Sequence, residues 1–314
     1  MTEELMSNSD ETDASAPLHV YISPHLDDAA LSCGGTISRQ RRERQRVLVV
    51  SVCAGAPDGG DLSPYAKSLH SRWAEREVSA GRMLETRRAE DMEAMARLDA
   101  DWLHLDVPDA PYRRDPETGA WLYEGDDAIF GPVAPGDDAW AARIARQIAT
   151  ALGDAMPARD GAPTGTMTIY APLGVGGHVD HQLVRRATEL WADRRAGGEA
   201  RLLYYEDFPY AADETALAAA LAEIDPEPRP ARGDTREREK PDASGDQARA
   251  WSPLAESDLA AKIAAVAEYK SQISTFWSDA AEMAVAVREF AHRRGAPGAP
   301  AEVFHCRPAR WSRS

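Results

Sequence analysis

Residues 18–35 read LHVYISPHLDDAALSCGG. Leu18 to Ser23 is a short apolar run closed by a Ser-Pro turn signal, which reads as a buried strand. Ala29 to Gln40 then carries a helical pattern. The same alternation runs outward along the chain. Arg46–Val52 (RVLVVSV) is a second strand, followed by a Gly/Pro/Asp loop from about Gly55 to Pro64. Residues from about Leu69 to Leu98 read as mostly helical, with Met92, Met95 and Leu98 at core spacing. Trp102–Leu105 is a third strand, 106–138 a loop, Ala139–Leu152 a helix and Met167–Tyr170 a strand. After a loop at Gly174–His178, Val179–Arg195 is a helix with Leu183, Val184, Ala187, Leu190 and Trp191 on one face. Arg201–Tyr205 is a strand, Ser257–Ile273 and 280–293 are helices, and Val303–Cys306 is a last strand. Strands alternating with helices mean βαβ units, hence an α/β class with a doubly wound, mainly parallel sheet and helices on both faces. Ligands bind such sheets beyond the carboxyl ends of the strands.

The rest of the composition narrows the function classes. Of 314 residues, 43% are apolar and 28% charged, a soluble globular balance. The net charge of −16 disfavours nucleic acid and membrane surfaces, which ask for a basic face. No stretch approaches the ~18 apolar residues that span a bilayer. Cys33, Cys53 and Cys306 are far apart and form no Cys-x-x-Cys pair, so a reducing, cytoplasmic setting is the default. Residues 1–16 are acidic and polar and read as a disordered leader. Residues 17–314 then form one domain. Within it, 226–250 (PEPRPARGDTREREKPDASGDQARA) is dense in Pro and charge, so a mobile insertion is expected there.

Two segments carry chemistry. Ser23-Pro24-His25-Leu26-Asp27-Asp28 begins where the first strand ends, and Gly174-Val175-Gly176-Gly177-His178-Val179-Asp180-His181 lies between a strand and a helix. Both belong on the carboxyl-end rim. Zn2+ takes imidazole nitrogen and carboxylate oxygen, and a catalytic site uses three protein ligands with one place left open. His25 and Asp28, three residues apart on a tight loop, can reach one ion, and His181 completes the set. Asp27 points elsewhere than Asp28 and suits a general base. His178 faces a developing oxyanion or protonates a leaving amine, and Asp180 is placed to orient His178 and favour its protonated form. Taken singly, Asp27 and Asp28 read first as helix caps, and it is the pairing of two His/Asp clusters, each just beyond a strand, that points to a metal. The donor set also suits iron or cobalt. A His-x-His-x-Asp-His metal motif fails at Gly176, and the first βα turn lacks a Gly-x-Gly-x-x-Gly dinucleotide loop.

SPHLDDAALSCGG and GGHVDH together resemble the signature of the PIG-L/LmbE-like family of zinc-dependent deacetylases, a resemblance covering about residues 18–306. It extends to RRAEDMEAMARL with WLHLDVPD, to YYEDFPY and to KIAAVAEYKSQI. The resemblance implies a Rossmann-like fold and zinc on His25, Asp28 and His181. It implies Asp27 as base, His178 with Asp180 as the acid or oxyanion pair, and Arg87 as a substrate contact. It implies hydrolysis of the N-acetyl amide of an N-acetylglucosamine-type amino sugar or its conjugate, a small-molecule partner, and leaves a homo-oligomer open. An amidase on a larger sugar conjugate or natural-product intermediate is the alternative, and a non-enzymatic sugar-binding protein a further one. Ala29 stands where the family often has Glu, and Leu26 where it often has Pro. Tyr65, Trp73, Asp109, Tyr112, Glu206 and Tyr210 lie in loops or at strand ends and are candidate pocket residues.

Overall fold

Side chains along the first strand alternate between two cores, and that alternation organises the molecule. In the computed structural model, which describes residues 16–57, 61–73, 79–155, 167–194, 200–224 and 249–306, β1 is Leu18–Ser23. Val20 and Ile22 join one core with Leu48, Val50 and Ile169, while Tyr21 joins the other with Val47, Val49 and Tyr170. α1 (Asp28–Arg42) leads to β2 (Arg46–Ser51), then α2 (Pro64–Trp73), α3 (Ala80–Leu98) and β3 (Asp101–His104). α4 (Asp126–Ile129), α5 (Trp140–Ala155), β4 (Met167–Pro172), α6 (Val179–Arg194), β5 (Ala200–Tyr205) and α7 (Glu214–Ile224) follow. The described chain continues through β6 (Arg249–Pro253), α8 (Glu256–Val266), α9 (Lys270–Phe276), α10 (Ala280–Arg294) and β7 (Ala301–Cys306).

The sheet has seven strands in the order β3-β2-β1-β4-β5-β7-β6. β1 pairs in parallel with both β2 and β4, so the chain reverses its winding direction there. β2–β3 and β4–β5 are parallel too, while β7 runs antiparallel to β5 and to β6. The α/β class and the mainly parallel sheet hold. α5 and α6 cover one face, with Ile144, Ile148, Leu183, Val184 and the buried Trp191 in its core. α1, α3, α7, α8 and α10 cover the other.

Local departures have physical causes. The helix expected over 69–98 is two helices. Pro64 opens α2, where the Ser63 hydroxyl accepts the Ala66 N–H at 2.9 Å. The Ser79 side chain caps α3. The helix expected over 257–273 breaks between α8 and α9, where the Tyr269 hydroxyl is tethered to the Leu26 carbonyl at 3.0 Å and to Asp91 at 2.7 Å. Met92 and Leu190, read as core, are exposed; Met83, Asp91, Ala94 and Met95 take the buried side of α3. α7 and β6 escape the sequence reading. Arg249 and Ala250, assigned to the insertion, lie in the edge strand β6; the rest of that insertion and the leader through residue 15 lie outside the described residues.

Candidate metal centre and its surroundings

The β1–α1 turn is held by Ser23. Its hydroxyl donates to the His25 carbonyl at 2.6 Å and accepts the Ala29 N–H at 3.0 Å. Asp27 stands at the N-cap position of α1 but makes no capping bond, so its carboxylate is left for other work. Beyond β4, Gly174, Gly176 and Gly177 adopt φ of +86°, +85° and +74°, a left-handed path that glycine takes without steric cost. Asp207, just past β5, pins this loop: one of its oxygens accepts the N–H groups of Gly174 at 2.8 Å and Val175 at 2.9 Å. α6 then starts at Val179 and presents Asp180 and His181 from its first turn.

The two rim loops meet. His25, Asp28 and His181 place one potential ligand atom each within 4.8 Å of one another. The other Asp207 oxygen lies 2.7 Å from His181 Nδ1, so that nitrogen carries a proton and Nε2 is the ring atom left to ligate an ion once its own proton is displaced. His181 Nε2 is buried, has no hydrogen-bond partner, and lies 3.3 Å from Asp28 Oδ2. His25 Nε2 lies 3.1 Å from Asp180 Oδ2, and its Nδ1 lies 3.1 Å from Asp28 Oδ2. Two imidazole lone pairs and a carboxylate oxygen therefore face one point, an arrangement that repels itself unless positive charge sits between them. The electrostatics agree. Burial alone would lower His25, but Asp109, Asp180 and Asp28 together hold it well above the usual histidine range. Burial also opposes charge on His181, yet Asp28 and Asp207 raise it to about 9. Against its own burial, Asp28 is held well below the carboxylate range by His181 and His25. The residues fit a divalent ion by donor type, convergence and an orphaned ligand atom.

His25, His178 and Asp180 form a second group by the same distance measure. That group is engaged otherwise. His178 Nδ1 accepts the Asp180 backbone N–H at 3.2 Å, and the Asp180 carboxylate takes the Ala110 N–H at 3.0 Å and the buried Arg113 guanidinium. The expected steering of His178 by the Asp180 carboxylate needs correcting: the carboxylate is 4.0 Å from Nδ1 and orients His25 instead. Nor is His178 held protonated. Burial and the neighbouring His25 push it well below its usual range, leaving a neutral ring with the proton on Nε2.

Residues 20–192 match the PIG-L family, described as GlcNAc-PI de-N-acetylase. The chain belongs to this family. A relative from Streptomyces fradiae, 2'-N-acetylparomamine deacetylase, is 28% identical over 200 residues, covering 63% of this chain and 59% of that protein. The enzyme of the same name from Niallia circulans is 26% identical, covering 61% of this chain and 66% of its own length. The chain thus aligns with rather less than two thirds of the Streptomyces protein. Among solved structures, the zinc-inhibited form of a teicoplanin deacetylase superimposes with a TM-score of 0.67 at 22% identity, covering 92% of this chain and 97% of that one. That likeness shows the shared fold.

The remaining site residues sort by their partners. Asp27 is driven up to about 6 by burial and by Asp28, against the pull of Arg87 and His25. Arg87, buried on α3, lies 3.9 Å from Asp27, 3.4 Å from Asp109 and over the Trp73 ring at 5.1 Å. Its neighbour Arg88 turns away and donates to the Ala54 carbonyl. Asp109 also approaches His25 Nε2 at 3.6 Å, and Tyr210 stands edge-on to His181 with centroids 5.9 Å apart. Tyr65 donates to Asp126, Tyr112 pairs with His70, and Glu206 is held by Arg294 and His305, so these three candidates are engaged away from the ion point. The cysteines are all free; Cys33 and Cys53 are buried. Sequence reasoning missed Asp207 and Arg113. Asp207 carried a usable signal, since it follows a strand as His25 does. Arg113 carried none: it lies in an irregular loop, and only the fold brings it to Asp180 and, at 2.8 Å, to Asp137.

Proposed function

We propose that the protein is a zinc-dependent hydrolase that removes the N-acetyl group from an amino sugar or an amino-sugar conjugate of natural-product type. The observation that carries this reading is the convergence of His25, Asp28 and His181 Nε2 on one point, with the uncapped Asp27 beside them. Family membership supports the amide-hydrolysing chemistry. The curated relatives, named for an acetylated aminoglycoside precursor, support the substrate class. A donor set of two imidazoles and one carboxylate supports zinc.

When bound, the ion supplies Lewis acidity at the amide carbonyl. Asp27 accepts a proton from the attacking water and returns it to the departing nitrogen. A carboxyl raised to about 6 is suited to both steps near neutral pH. His178, neutral and with Nδ1 already accepting a backbone N–H, offers Nε2–H to the carbonyl oxygen as negative charge grows on it. Asp180 keeps His25 in its ligating tautomer, and Asp207 does the same for His181. Arg87 and Asp109 form the polar wall that takes sugar hydroxyls. Residues 17–314 are taken as one catalytic domain. The free cysteines support a cytoplasmic setting, and no helix among the described residues is long and apolar enough to cross a membrane.

The test is a mass-spectrometric screen of N-acetylated amino sugars, including aminoglycoside precursors, with and without a chelator. Loss of acetyl that stops on chelation and returns with about one equivalent of zinc is expected. Absence of acetyl loss across the panel, or turnover indifferent to chelation, overturns the reading.

A further inference from the structure

The β1–α1 turn that carries Asp27 is held carbonyl by carbonyl. The Ser23 and Pro24 carbonyls accept the N–H groups of Val52 and Cys53, each at 2.8 Å, and the His25 carbonyl accepts the Ser23 hydroxyl. The Asp27 carbonyl accepts the Leu31 N–H at 2.9 Å as α1 begins. Between them, the Leu26 carbonyl belongs to the peptide that leads into Asp27, and it is met by a side chain from far along the chain: the Tyr269 hydroxyl, at 3.0 Å. Leu26 and Tyr269 are both buried, so water does not readily stand in for that bond. The Asp27 carboxylate itself makes no capping bond and stands 3.9 Å from Arg87, so its aim is set by the backbone that carries it.

Tyr269 sits at the corner between α8 and α9, and its hydroxyl is anchored in turn to the sheet. Asp91 of α3 lies 2.7 Å from that hydroxyl and, through its other oxygen, takes His104 Nε2 at 2.6 Å. His104 is the last residue of β3. Asp91 and the Leu26 carbonyl are both acceptors, so the one hydroxyl proton is shared between them. Burial together with Asp91 pushes Tyr269 well above the usual tyrosine range, which keeps that proton in place. A line of contacts thus runs from the carboxyl end of β3 through Asp91 and Tyr269 to the peptide before Asp27. Accurate placement there matters, since misplacing a reacting group by about 1 Å costs about 10²-fold in rate. We propose that Tyr269 is a positioning residue for Asp27: its hydroxyl clamps the Leu26–Asp27 peptide so that the carboxylate faces the attacking water instead of closing on Arg87. The proposal rests on the reading of Asp27 as the base and adds the residue that aims it.

The experiment is a double-mutant cycle of Tyr269→Phe with Asp27→Asn, run on the zinc-loaded protein with the best substrate of the screen above. The phenyl ring keeps its buried place, so a melting curve should show a folded protein. Zinc content should not change, because the bonds that shape His25, Asp28 and His181 are untouched. In the wild-type background Tyr269→Phe should lower kcat about 10–100-fold and leave KM within about twofold, the mark of a loss felt in the transition state alone. In the Asp27→Asn background it should change kcat by less than about twofold, since the group it aims is already disabled. An unchanged kcat, a rise in KM at constant kcat, or a loss that recurs undiminished beside Asp27→Asn overturns the positioning role and leaves the hydrolase reading standing. A near-wild-type kcat in Asp27→Asn sinks the base reading and the proposal with it. Deuterium exchange of backbone amides reads the clamp without turnover. Residues 26–31 of Tyr269→Phe should exchange roughly fivefold faster than in the wild type, the factor that matches the net worth of one hydrogen bond, with β1 unchanged. Absence of turnover throughout sinks the hydrolase reading; faster exchange then keeps the clamp and unchanged exchange removes it. Asp91→Asn is the second variant should Tyr269→Phe not fold. Its amide oxygen takes the His104 proton, its NH2 donates to the Tyr269 oxygen, and the hydroxyl proton passes wholly to Leu26. Exchange at the turn should then slow, and faster exchange would overturn the clamp.

Discussion

Asp207→Asn is the substitution that most directly tests the metal centre, because it keeps shape and changes one proton. In the wild type, one Asp207 oxygen accepts two backbone N–H groups, from Gly174 and Val175, and the other takes the proton of His181 Nδ1. An asparagine has one acceptor to place. Turning its NH2 towards the two backbone donors would leave both buried without partners, at about 1–3 kcal/mol each. The amide oxygen therefore stays with Gly174 and Val175, and the NH2 faces His181 Nδ1. That nitrogen must now accept, so the proton moves to Nε2, the atom that needs a lone pair to ligate. Loss of such a partner typically costs 10–100-fold in metal affinity, or about 1.4–2.7 kcal/mol. Because the tautomer is inverted rather than merely loosened, we expect the upper end, near 100-fold. A competition titration against a chromophoric zinc chelator at neutral pH reads this directly. Thermal unfolding should move little, since the cradle around Gly174 and Val175 survives. Unchanged zinc affinity in a folded Asp207→Asn protein would refute both the assignment of His181 Nε2 as ligand and the role of Asp207.

Asp27→Asn should retain zinc in elemental analysis while kcat falls by about 10²–10⁴, the usual worth of a positioned base. Because Asp27 is raised to about 6 by burial and Asp28, kcat/KM should drop on the acid side as pH falls through about 6, and the profile is checked with a non-ionising substrate. The same shift has a stability consequence. The folded state binds the Asp27 proton more tightly than the unfolded chain, so the stability it lends is present at low pH and lost as pH rises through about 6. The metal-free Asp27→Asn variant should accordingly melt a few °C above the metal-free wild type at neutral pH. Arg113→Met strands Asp180 and Asp137 in the interior and should cost about 3–5 kcal/mol in denaturant unfolding. Arg113→Lys should recover only part of this, since one ammonium does not reproduce the guanidinium fork.

Much of this was legible in the chain. β1, β2, β4 and β5 are runs of apolar residues bounded by turn signals, and burial on both sheet faces makes such runs unmistakable. The ligand candidates were legible because their chemistry is local: His25 and Asp28 share one turn, and His181 opens the helix after another strand. The parts that were not legible depend on partners distant in sequence. Asp180 looked like the partner of His178 because they are two residues apart, but a carboxylate at the start of a helix points where the fold places its donors, here Arg113 and Ala110 from an irregular loop. Met92 and Leu190 fit a helical stripe by spacing, yet the polar Asp91 takes a fully buried place on α3 because His104 and Tyr269 bond it. β6 escaped notice because an edge strand exposed at alternate positions, with Arg249 and Pro253 at its ends, lacks an apolar run.

The charge inventory around His25 and His181 leads to the last prediction. Asp27, Asp28, Asp109, Asp180 and Asp207 crowd the site, and among the described residues the guanidinium groups of Arg87 and Arg113 are the permanent charges paired against them. Without an ion the two ligand histidines supply the balance: burial resists it, but the surrounding carboxylates hold His181 protonated up to about 9 and His25 well above its ordinary range. A divalent cation brings the same charge as those two protons and needs the same lone pairs. Metal binding at neutral pH is therefore an exchange of one ion for about two protons. Apparent affinity should climb with pH until His181 loses its proton near 9 and then flatten for that group. In the metal-free protein, the stability lent by the raised histidines is full below their ordinary 6.5 and is lost, for His181, as pH passes about 9. Adding zinc to the apoprotein in weakly buffered solution with a pH indicator counts the protons. Release of about two per ion is expected, and binding without proton release would mean that His25 and His181 do not hold the metal.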